Sequence, residues 1–135
     1  LVQAFLTYRH AKWMDWFTDA LRRYGTQHAG LSALVPALRE WFEDDGFRGC
    51  AFINSVVELG GAQPEVVAIA QMHKEGMTAA VAALLPPSKH RLRTAQAVAL
   101  AIDGAIVQAQ CAERPDGALS NLAHLLHTLG GLPKF

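Results

Sequence analysis

The sequence predicts an all-α fold: a single domain of about six helices, residues 1–135. Apolar residues recur three, four and seven positions apart along nearly the whole chain, the spacing of one helix face. No stretch alternates apolar and polar residues in the way a half-buried strand does, and there is no internal repeat. The breaks between periodic stretches are glycines, prolines and a short acidic run, the residues that stop helices. With 135 residues, 51% hydrophobic and 18% charged, the chain is long enough for one core and too short for two good ones.

The first helix is predicted from Val2 to Arg23, with Leu6, Trp13, Phe17, Ala20 and Tyr24 on one face and Gly25 as its stop. A second rests on the stripe Leu31, Leu34, Val35, Leu38, Trp41 and Phe42. Ser32 helps to start it, Pro36 is tolerated because it falls in the first turns, and Glu43-Asp44-Asp45-Gly46 breaks it. The third runs from Arg48 to Leu59 and ends at Gly60-Gly61. Being short and mostly apolar, it is expected to be buried on more than one side.

Pro64 and Glu65 open the fourth helix, a proline in the first turn and an acid near the positive end of the dipole. Its inward stripe is Val66, Ile69, Ala70, His73, Met77, Ala80, Val81 and Leu84, and Pro86-Pro87 ends it. The fifth spans His90 to Glu113 and carries apolar side chains in all directions from Val98 to Ala109, more than one subunit is expected to bury. Asp116 caps the sixth, which sets Leu119, Leu122, Leu126 and Leu129 on one side before Gly130-Gly131 stops it.

Twelve basic and twelve acidic side chains give zero formal net charge, a poor balance for gripping a polyanion. No apolar run reaches the ~18 residues of a membrane span, and Leu1 to His10 lack a secretory layout. Two cysteines fit a reducing compartment, so a soluble, cytoplasmic protein without a membrane partner is expected. Phosphate loops, nucleophile elbows, dinucleotide fingerprints and Glu-x-x-His pairs are all lacking from the sequence. An enzyme is therefore not expected, and no catalytic residue, metal or cofactor is assigned.

The segment Phe47-Arg48-Gly49-Cys50-Ala51-Phe52-Ile53-Asn54-Ser55-Val56-Val57-Glu58-Leu59 resembles the third helix of the ligand-binding domain in TetR-type transcriptional regulators. Pro64-Glu65-Val66, a long helix with a central His, the proline break and Asp103-Gly104-Ala105 extend the resemblance over essentially the whole chain. The resemblance implies an effector-sensing and dimerisation domain, its partners a second copy of itself and a small, mostly apolar molecule. It places Leu1 inside the linker helix that would join this domain to a three-helix DNA-reading head missing from these residues. DNA would be bound only through that head, and effector binding would shift the linker helix.

On this reading the first five helices enclose a mostly apolar cavity walled by Trp13, Phe17, Phe52 and Met77, with Val56 and Val107 completing it. His73 and Asp103 supply its polar contacts, since each stands in an otherwise apolar setting. Each also has a plainer reading: a core imidazole satisfied by a neighbour, and a carboxylate on the polar line Gln96, Asp103 and Gln110 that faces water. Cys50, early in the third helix and after Arg48, is either a buried small residue or a thiol sensor. His124 and His127 share a face but have no patterned co-ligand.

A homodimer is expected through the last two helices, at Val98, Ile102, Ala105, Ala109 and Leu125, with Ala118 and Leu132 adding apolar surface. The alternative function is a ligand-free helical interaction module with a filled core, which contacts a protein partner through the exposed start of the first helix. A cavity between His73, Trp13 and Asp103 favours the first reading, and solid packing there the second.

Overall fold

The computed structural model describes residues 1–131, and its elements are α1 (Val2–Tyr24), a 3₁₀ turn (Gly30–Ala33), α2 (Leu34–Phe42), α3 (Ala51–Leu59), α4 (Pro64–Ala82), α5 (Arg91–Cys111) and α6 (Asp116–Gly131). Among these residues there is no strand and no helix long and apolar enough to cross a membrane. Helix α4 lies at the centre, packed against α1, α3 and α5. Helix α5 fits between α4 and α6, and α6 closes back on α2 and the 3₁₀ turn.

Of the predicted α4 stripe, Val66, Ile69, Ala70, His73, Met77 and Val81 are buried, Ala80 is half-buried and Leu84 lies beyond the end of the helix. In α1 the buried set is Leu6, Phe17, Ala20 and Leu21, one face at helical spacing. Gly76 lets α1 lie close to α4, because a Cβ there would come within 3.3 Å of the His10 ring.

Three expectations are corrected. Helix α3 begins at Ala51 rather than Arg48, because Gly49 takes a left-handed φ of 84° and delays the first turn. A side chain at Gly49 would also meet the Gln110 carboxamide, which would have to swing aside. Nor is α3 buried on several sides: only Phe52 is fully enclosed, and Val57 is 80% exposed. The third correction concerns α6, which continues through Gly130 and Gly131 instead of stopping before them.

The dimer residues also need revision. Val98, Ile102, Ala105 and Ala109 are buried within the single chain, facing the α4 and α6 sides of α5, and so have no surface to lend a partner. Their alanines bring the subunit's own helices close rather than another copy's. Ala118 is buried likewise, Leu125 is exposed as expected, and Leu132 lies outside the described residues. What α5 leaves outside is a different row, with Leu100 75% and Val107 44% exposed.

Candidate functional site

Burial of His73 is nearly complete, and its ring is held on three sides. Phe52 stacks on it at 3.8 Å between centroids, Trp13 meets it edge-on at 4.8 Å, and its Nδ1 lies 3.0 Å from Nδ1 of His10. Removal from water depresses its pKa to about 3, helped by the nearby charge of Lys74 and by His10, so the ring is neutral. His73 thus sits in the core with the His10 imidazole as its hydrogen-bond partner. Phe17 and Met77 are entirely enclosed in the same packing and line neither of the open grooves described below.

Asp103 is on another side of α4. Its Oδ1 accepts from Lys74 Nζ at 2.6 Å, and the same ammonium lies 3.5 Å from Cys50 Sγ. Cys50 is buried at the N-cap of α3. Phe52, Val56, Lys74 and Asp103 border an open groove of about 630 Å³ between α3, α4 and α5. Gln110 also leans toward α3, donating to Asn54 Oδ1 at 3.5 Å. The carboxylate thus already has its cation, supplied by the protein.

A third arrangement lies between α1 and the end of α2. Trp13, Trp16 and Trp41 form a triangle with centroids 5.7–6.0 Å apart. They wall a groove of about 530 Å³ whose rim carries Tyr8, Arg9, Lys12 and Asp44. Such a volume is within the range of small-molecule pockets. Below it, Glu40 ties the two helices together. Its Oε2 accepts from Trp16 Nε1 at 2.6 Å and from Arg23 at 2.9 Å, while Oε1 accepts from Arg23 at 3.0 Å and from the Tyr24 hydroxyl at 3.1 Å. The Arg23 bonds, then the Trp16 bond, lower the Glu40 pKa to about 2, and the same pairing raises that of Arg23.

One donor in the packing beside this groove is unmet. The Nε1–H of Trp13 is buried with no acceptor among the described residues. Arg9 and Lys12 take part in none of the ion pairs among those residues; they rest instead over Phe5 at 5.9 Å and Tyr8 at 5.6 Å. Both come from the face of α1 that carries Trp13 and Trp16, one turn apart.

The residues assigned to one cavity thus divide among several places. Trp13 lines the aromatic groove, Phe52, Val56 and Asp103 the polar-edged one, and Phe17, His73 and Met77 belong to the packed interior. Val107 is on the outer face of α5 and lines neither groove, because the inner positions of that helix are taken by Ala105, Ile106 and Ala109. His124 and His127 are exposed. Arg9, His10, Lys12, Glu40 and Lys74 went unnoticed in the sequence. His10 had a signal, since it precedes Trp13 by three and Phe17 by seven. Comparison with known protein families, curated proteins and solved structures finds no match to this chain.

Proposed function

We propose that the chain is the effector-sensing and dimerisation domain of a TetR-type transcriptional regulator. The observation that carries this reading is the face α5 and α6 leave outside once the subunit core is filled. Leu100, Val107 and Leu125 are each at least 42% exposed there, and Ala97 and Gly104 are small enough to admit another helix. A second copy seated on this face by a two-fold axis makes a four-helix contact. An obligate contact of that kind buries more than ~1,200 Å² in total.

The effector seat is the tryptophan-walled groove on α1, the helix that the resemblance makes the linker. An effector there acts only by binding one packing of α1 on α2 better than another. On this reading DNA would be contacted by a head outside these residues, whose own zero net charge gives no grip on a polyanion.

Sedimentation velocity tests the dimer: the wild-type chain should run as a dimer and Leu100→Glu as a helical monomer. A monomeric wild-type chain overturns the reading. One observation favours a second reading, a ligand-free interaction module: the space around His73 is filled by Phe52, Trp13 and His10. Native mass spectrometry of freshly purified protein separates the two, since a retained small molecule supports the sensor and a bare mass the module.

A further inference from the structure

The groove between α1 and α2 has an excess of donors. Glu40 is saturated by Arg23, Trp16 and Tyr24, so its charge is already matched. One oxygen of Asp44 accepts from the Gly46 N–H at 2.9 Å. Against these stand two cations without an ion pair among the described residues, Arg9 and Lys12. The walls are three indoles, whose flat faces suit a ring rather than a branched chain.

We propose that this groove binds a planar aromatic carboxylate, its ring against Trp16 and Trp41 and its carboxylate drawn by Arg9 and Lys12. The inference rests on the sensing reading above and names the chemistry of its effector. An aromatic cation is the opposite choice: Glu40 is already matched by Arg23, and although Asp44 on the rim is in no ion pair among the described residues, Arg9 and Lys12 outnumber it and repel a like charge. A neutral aromatic would fit the walls and leave both cations unused. A carboxylate engages the walls and the cations together, and its bonds to the cations are charge-assisted.

The test is calorimetric titration of the chain with three probes of one ring system: 1-naphthoate, 1-naphthalenemethanol and (1-naphthylmethyl)trimethylammonium. The acid should bind at least about tenfold more tightly than either of the others, and added salt should narrow the gap. The double variant Arg9→Gln/Lys12→Gln should bring the acid down to the affinity of the alcohol while leaving the alcohol within about twofold. Trp41→Leu should weaken all three. Equal or tighter binding of the alcohol or the cation overturns the proposal, as does a double variant that keeps its preference for the acid, or no heat with the acid at millimolar concentration. The two readings fail separately. A wild-type dimer that ignores naphthoate refutes this inference alone, whereas a monomeric wild-type chain that binds naphthoate with the stated preference refutes only the regulator reading.

Discussion

Two faces of Trp13 meet two different surroundings. Toward the interior the indole stacks on Phe17 at 4.5 Å and meets His73, whose own polar atom is answered by His10. Toward the outside it joins Trp16 and Trp41 around a groove whose rim carries Arg9 and Lys12, which join no ion pair among the described residues. Aromatic content is the same on both sides and does not separate them. What separates them is closure: Phe17 and His73 are shut inside the packing, whereas Trp16 and Trp41 leave an open groove edged by charge, with room for a partner.

That contrast is most easily broken from the interior. Phe17→Ala opens a hole in packing that excludes solvent altogether and should cost about 3–5 kcal/mol by urea denaturation, whereas Trp41→Leu in the groove should cost much less. A loss from Trp41→Leu as large as that from Phe17→Ala would make the groove part of the core.

Acid should also divide the two regions. His73 titrates near 3 in the folded chain against 6.5 ordinarily. Between those values the unfolded chain takes up a proton that the folded chain refuses, so stability falls as pH drops through that window. The loss approaches about 1.4 kcal/mol per pH unit below the ordinary value. Denaturation from pH 7 to 4 should show this slope in wild type and in Trp41→Leu, and a flatter one in His73→Phe.

Smaller effects belong to the join between the regions. Glu40→Gln keeps the shape but removes the charge that Arg23 and Trp16 bind, at a cost of about 1 kcal/mol because the site is partly open to water. Its melting temperature should fall by a few degrees. Smallest of all is Trp13→Phe, where the lost indole packing is offset by removal of an unmet donor. The net change should stay within about 1 kcal/mol in a urea titration, although naphthoate binding weakens.

Periodicity made the elements legible, and it did so best where one face alone is apolar. In α4 the buried set matches the expected stripe because Gln71, Glu75 and Ala79 leave only one side to bury. In α5 the pattern is apolar all round, so spacing could not tell Ile102, which faces the core, from Leu100, which faces out. That choice is made by the positions of α4 and α6, which lie far along the chain. The groove was hidden for the same reason. Trp16 and Glu40 are 24 positions apart, and nothing local says that they meet. Asp103 looked unpaired because Lys74 is 29 positions away on a different helix. The place of Arg9 and Lys12 on the rim of a tryptophan-walled groove belongs to the folded chain and has no signature in sequence at all.

The 3.0 Å contact between the two Nδ1 atoms of His10 and His73 has room for a single proton. One ring must donate from Nδ1 and the other must offer its lone pair there, so the tautomers of the two imidazoles are chosen together. If His10, half-buried on α1, donates, His73 holds its own hydrogen on Nε2; if His73 donates, His10 does. The tautomer at the edge of the molecule is thereby tied to which nitrogen is bare on a ring buried in the core, with no change in the heavy-atom packing.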